Sequence, residues 1–310
     1  FPARCKRMSL FSTREWWSVS PGVDEEFGTG CLAVGNLDNS PASGLKIATG
    51  SFSGTLRVYC PREREYKLED LWLETALDLP ILQLCAGRLL SDSDRIGLAV
   101  LHPRKLVVYS IQAGDATTKE GAAPYYSLTK AYEHALERPA CNMAQGSFGG
   151  VGKAEYLCVQ SMDGQLSIIE QERMTISRTL SKFLLPGPLT YCAKTDSFLT
   201  FNAQMEVNCY KYSALSSQPT GSHGGEVKKL QIDWSMVVGE YVAAITVARF
   251  SRSLTSSQVD IIVLGERTLL CLRDNGAIRS QKRLDYCACC CYAYPSMSQD
   301  PSAPQHNLLV

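Results

Sequence analysis

The chain has 310 residues and balances 31 lysines and arginines against 31 aspartates and glutamates, a formal net charge of zero. Without surplus positive charge, sequence-independent binding of nucleic acid or anionic lipid is excluded as a main role unless the basic residues gather on one face. Apolar residues at 45% and charged residues at 20% exclude a disordered or acidic-tail protein and leave material for a real core.

Residues 1–7 precede Met8, which reads as an initiator, so they are set aside as upstream residues, and the fold is expected over 8–310. Trp16-Trp17, preceded by Arg14-Glu15, stands before the first strand; tryptophan and arginine are enriched at binding hot spots, so this pair either packs against a blade or anchors a partner. From there short apolar or alternating runs alternate with Gly, Ser, Asp and Pro, the pattern of an all-β protein. Expected strands at 31–37, 46–51, 55–60 and 70–76 form one unit, closed by Asp78-Leu79-Pro80. A second unit begins at Ile81 with strands at 95–101 and 105–111; later strands fall at 155–161, 165–170 and 259–264.

A unit recurs. Leu56-Arg-Val58-Tyr59, Leu106-Val-Val108-Tyr109, Leu166-Ser-Ile168-Ile169, Val207-Asn-Cys209-Tyr210 and Leu269-Leu-Cys271-Leu272 each follow a turn and a strand, and Leu308-Leu-Val310 resembles the start of a sixth. The turns are 53–54, 103–104, 163–164, 204–206, 266–267 and 306–307, and the leading apolar residues are spaced by 50, 60, 41, 62 and 39 residues. A period of about 40 to 50 residues with several strands per unit is the signature of a β-propeller of four-stranded blades. Five full units and the start of a sixth imply a segment of a longer chain, truncated before the closure of a seven-bladed ring. Loops are expected at 112–123, 213–226 and 296–304, rich in Gly, Ser, Pro and Thr.

The chemically suggestive motifs reduce to structure. Gly146-Ser-Phe-Gly149-Gly150-Val-Gly152-Lys153 mimics a phosphate-binding loop, but Ser147 stands where the first glycine belongs and Ala154 where Ser or Thr must follow the lysine, so a strand-connecting loop is expected. Cys287-Ala-Cys289-Cys290-Cys291 contains one C-x-x-C spacing without a second pair, and His102, His134, His223 and His306 are scattered, so no metal centre is expected. The cysteines instead suit an innermost, doubly buried blade strand. Thirteen cysteines, an odd number in a chain without a leading apolar signal, read as reduced thiols. Ser161-Met-Asp163-Gly164-Gln165 reads as a hairpin turn rather than a sialidase box. The innermost strands, 31–35, 81–86, 189–193 and 242–248, are apolar or small, so no catalytic residue is assigned. The apolar stretch 237–248 is too short to span a bilayer, which needs about 20 residues.

Met8-Ser-Leu-Phe-Ser-Thr-Arg-Glu-Trp-Trp17, Gly50-Ser-Phe-Ser-Gly-Thr-Leu-Arg57, Ala99-Val-Leu-His-Pro-Arg-Lys-Leu106, Phe183-Leu-Leu-Pro-Gly-Pro-Leu-Thr-Tyr191 and Thr195-Asp-Ser-Phe-Leu-Thr200 together carry a resemblance. From Met8 to Val310 the chain resembles the amino-terminal propeller of the family of the parathyroid-hormone-responsive BBSome subunit, the ninth Bardet-Biedl syndrome family. That resemblance implies a non-enzymatic scaffold subunit of a coat-like complex that carries membrane proteins to and from cilia. It implies as partners the other BBSome subunits and, through the assembled complex, membrane-protein cargo and an Arf-like GTPase, with no cofactor, nucleic acid or transmembrane segment. The places implied are cytoplasm, cilium, ciliary membrane (peripherally), basal body and centriolar satellites. The alternatives are a propeller hydrolase, marked by a ring of Asp, Glu or Arg around the channel, and a propeller of another vesicle coat.

Overall fold

A computed structural model describes residues 16–41, 44–91, 94–114, 126–180, 186–217, 230–251, 258–297 and 305–310. Strands β1 (Leu32–Gly35), β2 (Lys46–Gly50), β3 (Thr55–Tyr59) and β4 (Leu71–Ala76) form the first antiparallel sheet in sequential order. The second holds β5 (Gln83–Gly87), β6 (Gly97–His102), β7 (Lys105–Ala113) and β8 (Tyr126–Ala135), and the third β9 (Ala140–Gly146), β10 (Tyr156–Ser161), β11 (Gln165–Glu170) and β12 (Arg173–Thr179). The fourth holds β13 (Leu189–Cys192), β14 (Ser197–Phe201), β15 (Glu206–Lys211) and β16 (Trp234–Val237), and the fifth β17 (Val242–Ala248), β18 (Asp260–Gly265), β19 (Thr268–Arg273) and β20 (Ile278–Arg283). A sixth, two-stranded sheet pairs β21 (Tyr292–Pro295) with β22 (His306–Leu309). Each first strand touches the first strand of the next sheet, so β1, β5, β9, β13, β17 and β21 follow one another around a common centre. This is a β-propeller, and the strands of the first unit match their expected positions within two residues.

Burial explains why the strands read as they do. Second strands lie mid-blade with a sheet against each face, so β6, β14 and β18 are buried at every position and show no alternation. Fourth strands form the rim, and β12 and β20 are largely exposed and carry Arg and Lys, which blunt an open edge. The seams between consecutive blades form the core: Leu56 and Val58 meet Leu84 and Val100 across the first seam, and Leu106 and Val108 meet Met143 and Val159 across the second. The face of the first sheet turned from the second leaves Leu32 and Val34 exposed.

The recurring turns are built alike. Ser51 Oγ accepts from the Thr55 amide (3.1 Å), Ser161 Oγ from the Gln165 amide (2.8 Å), and Asn202 Oδ1 from the amides of Gln204 (2.9 Å) and Glu206 (3.2 Å). Gly54 in the first turn has φ +91°, and a Cβ there would lie 2.4 Å from the Leu77 carbonyl oxygen, which is backbone and cannot swing aside. Gly54→Ala is therefore expected to cost about 1–3 kcal/mol and to lower the thermal midpoint by several degrees; calorimetry checks this.

Three expectations need correction. Leu308 does not open a third strand: β22 pairs with β21, so it holds the second-strand place, and His306 and Asn307 lie in the strand instead of a turn. The backbone amide of His306 bonds the Arg249 carbonyl (3.0 Å), which fixes that hairpin beside the fifth blade. The loop expected over 213–226 opens with a short helix, α1 (Tyr212–Ser216), whose Leu215 is buried, and Gln112 and Ala113 belong to β7 instead of a loop. Most of the three expected loops falls outside the described residues, as do residues 1–7, Met8 and Arg14-Glu15. The cysteine run 287–291 is not a strand either, since β21 begins at Tyr292.

Candidate functional site

The first strands and the segments leading into them surround a central opening of about 510 Å³. Thr29, Gln83, Asn142, Thr190 and Cys289 are among the polar residues lining it, with Met143, Leu189 and Ile245 among the apolar ones. None of the lining residues is Asp, Glu, Lys, Arg or His. Among the described residues, no ring of Asp, Glu or Arg lines the opening.

Polar side chains here knit blade to blade. Gln83 acts as a surrogate strand residue: its Nε2 donates to the Met143 carbonyl (2.8 Å) and its Oε1 accepts from the Met143 amide (2.7 Å). Asn142 Nδ2 donates to the Gly187 carbonyl (2.9 Å), and Thr190 Oγ1 donates to the Ile245 carbonyl (2.7 Å). The Leu84 amide donates to the Gly30 carbonyl (2.8 Å). These bonds satisfy inner-strand groups that have no further strand to pair with.

The cysteine run lies at the innermost position, since Cys289, Cys290 and Cys291 line the opening. It is neither a strand nor doubly buried: pairing of β21 with β22 starts at Tyr292↔Leu309, so the run precedes the ladder, and Cys287, Cys289 and Cys290 are exposed. Leu284 and Ala288 carry the burial instead, packing with Leu264 of the fifth blade. Burial raises the thiol pKa of Cys141, and burial reinforced by Cys289 raises that of Cys290. Burial pushes Cys291 up to about 11. Upward shifts leave these thiols protonated and poorly nucleophilic near neutral pH. All described cysteines are free, and no group of three potential ligands that would suit a metal occurs among the described residues. His102 Nδ1 and His134 Nε2 bond backbone carbonyls (2.8 Å each), while His223 lies outside the described residues.

The glycine-rich stretch is a connection between β9 and β10. Gly149 and Gly150 take positive φ, and Phe148 turns inward to fill the seam between the third and fourth blades. Asp196 of the fourth blade holds this loop, accepting from the Gly149 amide (3.0 Å) and the Tyr191 hydroxyl (2.7 Å). Asp163-Gly164 sits in the β10–β11 turn, where Asp163 pairs with Arg138 and accepts from Ser161 Oγ (2.5 Å).

The two tryptophans separate. Trp17 packs edge-on against Tyr59 and Tyr66, with ring centroids 5.9 Å from each, and its Nε1 donates to Asp70 Oδ2 (3.4 Å). Trp16 is 54% exposed. The segment after them is fastened to the first blade: Arg57 donates to both oxygens of Glu25 (2.9 and 2.7 Å), and the Phe52 amide donates to the Glu26 carbonyl (2.9 Å). The Arg57 guanidinium beside Glu25 holds its carboxyl below the usual range. Spacing along the chain could not have found this strap, because its contacts lie 26 and 32 residues away in sequence.

Comparison with known proteins follows the same lines. The family model described as PTHB1 N-terminal matches residues 8–310. A relative from Homo sapiens named Protein PTHB1 is 43% identical over 304 residues, covering 94% of this chain and 34% of its own length. A Xenopus laevis relative of the same name is 42% identical over 303 residues, covering 94% and 35%. The chain thus spans about a third of the length of these relatives. Among solved structures, Saccharomyces cerevisiae Sqt1 superposes with a TM-score of 0.58 over 89% of this chain and 68% of its own, at 9% identity, a likeness of fold alone. Among the described residues no helix is long and apolar enough to cross a membrane.

Proposed function

Because the chain belongs to the PTHB1 N-terminal family, we propose that it is the propeller module of a BBSome subunit, a non-catalytic scaffold. The observation that carries this reading is the family match over nearly the whole chain; the uncharged lining of the central opening supports it, since propeller hydrolysis needs convergent ionisable groups there. The module contributes to assembly with other BBSome subunits, and the assembled complex moves membrane proteins to and from cilia. An Arf-like GTPase brings that complex to membranes, so the protein resides in the cytoplasm, the basal body, centriolar satellites and, peripherally, the ciliary membrane.

Affinity purification of the full-length protein from ciliated cells tests the proposal. Recovery of the other BBSome subunits in near-equal amounts is expected; recovery of a stable, solitary monomer overturns it. Within the module the exposed Trp16 is the proposed partner anchor and the packed Trp17 its support. Trp16→Ala is expected to leave the melting temperature in place and reduce co-purification of partners several-fold. Trp17→Ala is expected to cost about 0.5–3 kcal/mol of stability, since the ring is half-buried. Undiminished co-purification with Trp16→Ala removes that residue from the interface.

A further inference from the structure

The seam between the third and fourth blades differs from its neighbours. Asn142 and Gln160 are register partners on β9 and β10, one pleat from Ala144 and Cys158, whose side chains lie in the core of this seam. Side chains two apart share a sheet face, so Asn142 and Gln160 face it too. From the other side Thr200 and Asn208 are register partners on β14 and β15, one pleat from Phe198 and Tyr210 of the same core. Gln160 is fully buried and Asn208 nearly so, yet Gln160 Nε2, Gln160 Oε1, Asn142 Oδ1 and Asn208 Oδ1 are all buried without a hydrogen-bond partner. Among the described residues, the side-chain amide atoms buried without a hydrogen-bond partner all belong to Asn142, Gln160 and Asn208 of this seam.

A buried amide without partners loses its bonds to water and receives nothing in return, which folded proteins avoid almost everywhere. The nature of the unmet groups selects what satisfies them. A cation would meet the three carbonyl oxygens but face the Gln160 N–H groups unfavourably, and an anion would do the reverse. Water both donates and accepts. Three oxygens require three donated hydrogens and each water brings two, so at least two molecules are needed. Asn142 also lines the central opening, which supplies an entry route.

We propose that this seam encloses an internal water site of at least two molecules, bound by Gln160, Asn142 and Asn208 and reached from the central opening. The test is a crystal structure of the full-length protein at a resolution that shows ordered solvent. Expected are density peaks within hydrogen-bond distance of the Gln160 amide and of Asn142 Oδ1 or Asn208 Oδ1. Amides that bond one another directly, with no peak between them, overturn the proposal, as does a peak contacted by oxygens alone at cation distances. Oxygen-17 relaxation dispersion on the full-length protein gives a second readout: Gln160→Met is expected to lower the count of long-lived waters relative to the unaltered protein. An unchanged count in folded Gln160→Met overturns the site, and where that variant fails to fold the crystal structure of the unaltered protein decides.

Discussion

Phe148→Ala is expected to destabilise the propeller by about 3–5 kcal/mol, the range for emptying a buried aromatic position. Phe148 is fully buried although it sits in a loop, and its ring lies edge-on to Tyr191 (4.7 Å between centroids) and Phe198 (4.8 Å) of the fourth blade. Tyr156 and Tyr212 complete the surround at 6.4 Å each. Deleting the ring leaves a cavity that rigid strands on both sides cannot close. Urea titration is the check: the midpoint should fall with the slope unchanged, and Phe148→Leu should show a smaller loss. A midpoint that stays in place would mean the loop does not anchor the seam.

Asp70→Ala is expected to cost about 1.5–3 kcal/mol, because it removes a buried carboxylate and the charge-assisted hydrogen bonds it accepts. The carboxylate of Asp70 is fully buried at the start of β4. It accepts from both terminal nitrogens of Arg64 (3.0 and 2.8 Å), from the Lys67 amide (3.0 Å) and from the Trp17 indole. Burial by itself would raise its pKa, but the Lys67 amide, the Trp17 indole and Arg64 together hold the carboxyl below its ordinary value. A group depressed in the folded state adds stability above its unfolded pKa, about 4, and loses it as pH falls through the lower folded value. The stability gap between the unaltered protein and Asp70→Asn should therefore be full at neutral pH and shrink only below about pH 4. A gap that is constant down to strongly acid pH would show that the carboxylate charge contributes nothing. Melting temperatures at stepped pH supply the measurement.

Most of the blade architecture is legible along the chain. The hairpins at Ser51, Ser161 and Asn202 combine a turn with flanking runs of strand length, and the hydrogen bonds that these three side chains accept from the turn amides close within five residues, so local sequence encodes them. The rim strands β12 and β20 show their exposure through Arg and Lys for the same reason, since what faces solvent is set residue by residue. The cysteine run shows the limit. Its alternation fits a buried strand, but a strand needs a partner at the right register, and β22 meets β21 only from Tyr292 onward. Leu308 shows the same limit from the other side: an apolar triplet after a turn suits a second strand as well as a third, and only pairing decides which.

The sequence by itself determined an all-β chain, the period of its blades, the family it belongs to and the bland chemistry of its inner strands, because periodicity, turn residues and matching segments are properties of near neighbours. Tertiary structure decided what depends on residues far apart in the chain. It set Trp17 against Tyr59, Tyr66 and Asp70 while leaving Trp16 in solvent, turned a glycine loop into the clasp between two blades, and buried Gln160 and Asn208 in one seam. Those outcomes follow from which sheet faces meet, and the faces of neighbouring blades are built from strands that lie far apart in the chain.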